Sequence, residues 1–166
     1  MAERLLFSGG AVVTPFRVEE ADVVVADGLV LEIRPRGPAR PGERVVDCRG
    51  LYVGPGLVDI HVHGGGGHDF AGDDPAAIAA GAEYHLHQGT TSLTPSALSI
   101  PFVQLDRAIR AARQAVSRCR ARLLGYHVEG VYLDMQYRGG HLVEHVHNPD
   151  PREYRPLIEA HGDFIT

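Results

Sequence analysis

From Gly56 onward the sequence alternates between short β-branched runs and longer segments whose apolar residues fall four apart, and this rhythm limits the possible fold more than any other feature. Leu57 to His63 reads as a strand. Asp74-Pro75 offers a helix N-cap and a first-turn proline, and Ile78, Ala82 and Leu86 recur four apart until Gly89 stops the helix. Thr90 to Ser96 reads as a second strand. Ser99 then caps a second helix that buries Leu105, Ile109, Ala112, Val116 and Cys119 and turns Arg107, Arg110, Arg113 and Arg118 mainly to water. Arg122 to Val128 makes a third strand, Asp150-Pro151 starts a third helix ending near Gly162, and Asp163 to Thr166 looks like a fourth strand beginning. Such alternation predicts parallel strands joined by right-handed crossovers. Three repeats and a fourth strand are less than half of an eightfold barrel, which usually needs ~250 residues. The expectation is therefore a truncated α/β barrel rather than an open three-layer domain.

Before Gly56 the pattern differs. Leu5 to Phe7, Ala11 to Val13, Asp22 to Val25, Leu29 to Ile33 and Val45 to Asp47 are short strand candidates, punctuated by Gly9-Gly10, Asp27-Gly28 and Gly37-Pro38. Asp27-Gly28 between two apolar runs is a hairpin signal. Residues 1–50 thus read as a small antiparallel module that needs a partner layer, and 51–166 as the barrel units.

With 166 residues, 44% of them hydrophobic, the chain has the length of one domain or pieces of two and enough apolar content for a packed core. The net charge of −5 and the lack of a basic patch argue against binding to nucleic acid or membrane surfaces. Cys48 and Cys119 lie far apart with no paired-cysteine spacing, as expected of reduced thiols. No signal pattern opens the chain and no apolar run approaches ~18 residues, so a soluble cytoplasmic protein is expected. All 16 basic residues are arginine.

On parallel strands the C-terminal ends share one rim, where ligands and reactive groups gather. The polar residues at these ends are His61 and His63, Thr94 and Ser96, and His127 and Glu129. Strand alternation turns His61 and His63 to one side and Ile60 and Val62 into the packing on the other. Two imidazoles and the Glu129 carboxylate suit a hydrolytic zinc site with positions left for water, whose pKa such an ion lowers to about 7. By itself a His-x-His pair is equally compatible with two exposed strand histidines. The run Gly64 to Gly67 is open to two readings, a phosphate cradle or close backbone approach to a metal. His85 and His87 face different ways on a helix and read as surface or packing residues, His68 as a loop-shaping residue, His145 and His147 as members of a solvated loop, and Tyr132 and Tyr137 as packing.

The stretch VGPGLVDIHVHGGGG resembles the entry motif of the amidohydrolase superfamily, and GYHVEGVYLDMQYRGGH is similar to the HxEGP…GAH segment of N-acetylglucosamine-6-phosphate deacetylases. DCRGLYVGPG resembles that family's crossing from β-sandwich to barrel, and HQGTTSLTPS its second barrel strand. The resemblance covers nearly the whole chain but only the first half or less of a family member. It implies the N-terminal part of a metal-dependent hydrolase (β/α)8 TIM barrel preceded by strands of a small β-sandwich. It further implies that His61, His63 and Glu129 hold one or two divalent ions, with Zn expected and Fe an alternative. His141, with Gly140 beside it, would bind substrate, and the imidazole would polarise the acetyl carbonyl of an amino-sugar phosphate. The variant with a carboxylated lysine bridging two metals does not fit a stretch without lysine. Two departures leave the exact sugar open: EGP is Glu129-Gly130-Val131, and GAH is Gly139-Gly140-His141 followed by LVEHVHNPDP. The family's later histidine ligands, catalytic aspartate and phosphate-binding residues would lie beyond Thr166, so the fragment itself is expected to be inactive and the full-length protein a homodimer. The alternatives are another amidohydrolase, a deaminase or cyclic amidase, or a non-catalytic truncated scaffold.

Overall fold

The structure is a computed structural model that describes residues 3–166. Its chain falls into two compact units, the first ending at Pro55 and the second spanning Gly56–Thr166.

The first unit contains six strands: β1 (Arg4–Ser8), β2 (Ala11–Val13), β3 (Val18–Ala26), β4 (Leu29–Pro35), β5 (Glu43–Asp47) and β6 (Tyr52–Val53). They form one sheet in the order β5-β1-β3-β2-β6, with β4 also paired to β3. Pairing is mixed rather than antiparallel throughout, because β5 and β6 return parallel to β1 and β2. Asp27 (φ 52°) and Gly28 (φ 74°) make the tight turn between β3 and β4, as their sequence predicts. Val12, Ala21 and Val23 form a small core with Phe7, Val25 and Val53 packed against it. Buried Asp22 ties the turns together by accepting from the Gly9 and Gly37 N–H groups, both at 3.1 Å. Burial pushes its carboxyl pKa up, but those two N–H groups, the Ser8 hydroxyl and Arg34 outweigh it and leave it below the usual aspartate value. Arg34 donates to both Glu43 oxygens, at 2.9 and 2.8 Å, and stitches β4 to β5.

The second unit begins with β7 (Leu57–Val62), a two-residue hairpin of β8 (Gly64–Gly65) and β9 (His68–Asp69), and α1 (Pro75–Leu86). Then follow β10 (Thr90–Ala97), α2 (Phe102–Ala115), β11 (Arg122–Leu123), β12 (His127–Val128) and α3 (Pro151–His161). β10 is central and parallel to all its partners, with β7 on one side and β11 and then β12 on the other. Phe70, Ile78, Leu93, Leu105, Ile109 and Tyr126, all essentially inaccessible, form the core between this sheet and the helices. Asp74 and Asp150 cap α1 and α3 through side-chain bonds to Ala76 N and Arg152 N, each at 2.9 Å. Among the described residues no helix is long and apolar enough to cross a membrane.

Several expectations change. Ser99 does not cap α2, whose N-cap is Pro101 with no side-chain bond. Val116 is 45% exposed, because α2 ends at Ala115 and a tighter 3-10 turn follows and rotates the apolar face. Arg113, expected to turn mainly to water, reaches Asp163 and stacks over Phe164. The third strand is broken into β11 and β12, since around Gly125 the main chain bonds to residues 164 and 166 instead of to β10. The last residues contribute only a parallel bridge from Ile165 to Tyr126. Tyr137 is exposed, and so is Ile60, which lies on the edge strand β7 with nothing packed over it. Val62, two residues on, does pack against the core.

Candidate metal centre

The parallel register sets the C-terminal ends of β7, β10 and β12 side by side, with Ser96 opposite His127 and Val62 opposite Pro95. Glu129 extends this register, its N–H donating to Ala97 O at 3.0 Å. Consequently His61, His63 and Glu129 meet: His61 Nε2 lies 3.1 Å from His63 Nε2, and each of these atoms lies 3.1 Å from Glu129 Oε2. The three atoms form an equilateral triangle whose corners are 3.1/√3, about 1.8 Å, from its centre. Zn–N and Zn–O bonds run ~2.0–2.2 Å, so a triangle of this size would fit a single ion of that kind.

The proton positions point the same way. His63 Nδ1 is 3.2 Å from the Ser96 carbonyl. A carbonyl only accepts, so Nδ1 carries the hydrogen and Nε2 presents a lone pair toward the carboxylate. Two electron-rich atoms 3.1 Å apart repel unless a cation or a proton lies between them, and two imidazole nitrogens with a carboxylate oxygen are a donor set for Zn²⁺ or Fe²⁺. Burial pushes the Glu129 carboxyl pKa up, yet the hydrogen bond to His61 and the positive charge that His61, His141 and His63 carry whenever they are protonated bring it below the ordinary glutamate value. The carboxylate is thus available as an anionic ligand.

The glycine run owes its composition to packing. A Cβ on Gly65 would fall 2.6 Å from His85 Nε2 and 2.9 Å from Tyr84 Cδ1, so α1 lies directly against this hairpin. His85 Nε2, 2.9 Å from Gly64 O, donates to that carbonyl and anchors the residue that follows His63. Phe70 closes the loop: its N–H donates to His63 O at 2.8 Å, and its own carbonyl accepts from the buried Tyr126 hydroxyl at 2.9 Å. The side chain of Ser96 accepts from Val62 N at 3.2 Å and locks the end of β7 to β10.

His141 is buried beside this triad with Nε2 3.5 Å from Glu129 Oε1. Its loop is braced by Arg138, which donates to His141 O at 2.5 Å. Gly140 is exposed next to it, with open space where a side chain would be. The His127 ring stands 4.9 Å from that of His61 and is not one of the three converging groups. Thr94 is buried, His68 is exposed on β9, His87 lies 3.3 Å from Glu83, and His147 is 3.6 Å from Glu153. Ser99, read from sequence as a helix cap, instead contacts His141. Its position just past the end of β10 was the signal for a place on the rim.

Strand-end imidazoles and a carboxylate on parallel strands make a candidate hydrolytic metal centre, and known proteins share features with the chain. No family model matches the chain. It is 26% identical over 157 residues to an N-acetylglucosamine-6-phosphate deacetylase of Haemophilus influenzae, an alignment covering 92% of this chain and 40% of that protein. A shorter stretch of 61 residues, 36% of the chain and 14% of the relative, is 46% identical to a dihydroorotase of Citrifermentans bemidjiense. The crystal structure of N-acetylglucosamine-6-phosphate deacetylase from Pasteurella multocida superposes with a TM-score of 0.89 at 24% identity, covering 98% of this chain and 43% of that one. Along nearly its whole length the chain is similar to the N-terminal portion of N-acetylglucosamine-6-phosphate deacetylases. It spans about two fifths of the length of these relatives.

Proposed function

We propose that this chain carries the entry half of a divalent-metal centre that hydrolyses N-acetylglucosamine-6-phosphate to acetate and the free amine. The observation that carries this reading is the 3.1 Å triangle of His61, His63 and Glu129 at adjacent parallel strand ends. In this reading Gly56–Thr166 supplies the first βα units of a (β/α)8 barrel and the preceding strands are part of a small β-sandwich. His61, His63 and Glu129 hold zinc, as one ion or a pair, with iron as the alternative. When bound, the ion supplies Lewis acidity and acidifies a water at neutral pH.

This chain's own residues do the rest of what can be assigned. His63 keeps its lone pair directed by donating from Nδ1 to Ser96 O. His141, beside Glu129, donates from Nε2 to the acetamide oxygen as negative charge develops there, the role of an oxyanion-hole donor. Water adds to the acetamide carbon, the C–N bond breaks, and the amine leaves with a proton. The aspartate that delivers that proton and the groups that grip the phosphate are not among these 166 residues, so this polypeptide alone is inactive in this reading. The longer protein acts on a small amino-sugar phosphate as a cytoplasmic homodimer. Its test is acetate release by that protein from N-acetylglucosamine-6-phosphate and N-acetylgalactosamine-6-phosphate, which is expected; absence of acetate with every amino-sugar phosphate overturns the reading.

The dihydroorotase similarity favours a second reading, a cyclic amidase. Gly139-Gly140-His141 after Glu129 tells against it, and ring closure of carbamoyl aspartate without acetate release would establish it. A scaffold without catalysis predicts no stoichiometric metal.

A further inference from the structure

We propose that Ser99 is a positioning residue that fixes His141 as its Nε2–H tautomer and aims that proton at the rim beside Glu129. The proposal deepens the deacetylase reading and rests on the role given there to His141. Both residues are buried, Ser99 at 2% and His141 at 5% exposure, so protein groups rather than bulk solvent set the orientation of the ring. The Ser99 main-chain N–H donates to His141 Nδ1 at 3.0 Å. An N–H has no lone pair to offer, so Nδ1 must accept, and the hydrogen of the neutral ring sits on Nε2. Nε2 is the atom that faces Glu129 Oε1 at 3.5 Å.

The Ser99 hydroxyl completes the clamp. Its oxygen is 2.5 Å from Gly130 O and 2.7 Å from His141 Nδ1. The Gly130 carbonyl and the unprotonated Nδ1 both only accept, so the single hydroxyl proton lies between them and is shared by the two acceptors. Gly130 directly follows Glu129, so one serine after β10 joins the segment bearing the carboxylate to the loop bearing the imidazole. Without the hydroxyl that tie is lost, and only the backbone donor still holds the ring against rotation about its broad χ2.

The test uses the longer protein, labelled with ¹⁵N-histidine, with His141 signals assigned by their loss in H141Q. Wild type is expected to give a bare Nδ1 and a protonated Nε2, with or without metal. In S99A the His141 signals should broaden or split between tautomers while the metal content stays unchanged. Turnover of the acetyl substrate should fall about tenfold, chiefly in kcat, a part of the ~10²–10⁴-fold that a positioned proton-donating group contributes. The loss should be smaller for a trifluoroacetyl analogue, whose carbonyl needs less polarisation. A His141 protonated on Nδ1 in wild type overturns the proposal, as does an S99A protein with one unchanged Nε2–H signal. Equal losses on both substrates together with metal loss also overturn it, because they mean general damage. Wild type that releases no acetate from any amino-sugar phosphate would overturn the deacetylase reading alone, since the ring signals are read without turnover.

Discussion

At the scale of single residues, the candidate site rests on lone pairs facing one another. His63 is oriented by a carbonyl, Glu129 is an anion flanked by three imidazoles, and His61 closes the triangle. Exchanging Glu129 for Gln keeps the shape and removes the charge. In the longer protein this change should weaken metal binding by more than the ~10–100-fold typical of losing an outer partner. Zinc content measured by elemental analysis after dialysis should drop accordingly, and an unchanged content would remove Glu129 from the ligand set. The sequence pointed to these three side chains because strand alternation and a shared rim are local rules. Ser99 escaped because its partners lie 31 and 42 residues away, and a serine just before an amphipathic run has a commoner local use. His85 escaped for the same reason: its acceptor is a main-chain oxygen 21 residues back.

Among the secondary-structure elements, the β/α alternation was legible because periodicity and caps are written within each segment. The break in the third strand was not, since it depends on residues 164 and 166 drawing away the hydrogen bonds around Gly125. The hairpin β8–β9 shows how closely elements must meet. Replacing Gly65 by Ala puts a methyl group into His85 and Tyr84, and should cost ~1–3 kcal/mol as an overpacking change. Thermal or urea denaturation measures this, and an unaffected midpoint would mean that α1 gives way freely. The clamp between β4 and β5 makes a prediction in pH. The hydrogen bond from Arg34, then the N–H of Arg40, holds Glu43 at about 2, below the ~4.3 of an unfolded glutamate. As pH falls the unfolded chain takes up this proton first, so the stabilisation is complete above roughly pH 4.5 and is lost toward pH 2. Glu43→Gln should remove that part of the acid dependence and lower stability at neutral pH, both read from denaturation midpoints across pH 2 to 7. An acid profile matching wild type would count against the clamp.

Across the whole molecule, each unit leaves apolar strand surface uncovered among the described residues. Leu29, Leu31 and Ile33 on β4 are 67, 53 and 48% exposed, and Leu57, Val58 and Ile60 on β7 are 62, 60 and 71% exposed. Open strand edges of this kind associate. The 166-residue polypeptide made alone should self-associate, and Leu31→Lys together with Val58→Lys should shift it toward monomer in light scattering; a monomeric parent would show that these edges are harmless. Neither exposure was legible from sequence, because alternation says that a strand has two faces without saying what covers them. The acceptor that aims His63 has a different standing. It is a peptide oxygen held in place by strand pairing, so no exchange of the side chain at position 96 can delete it. Varying that side chain keeps the acceptor but gives up the hydroxyl that ties Val62 to β10, and a slip in the alignment of β7 against β10 is what would take the acceptor away.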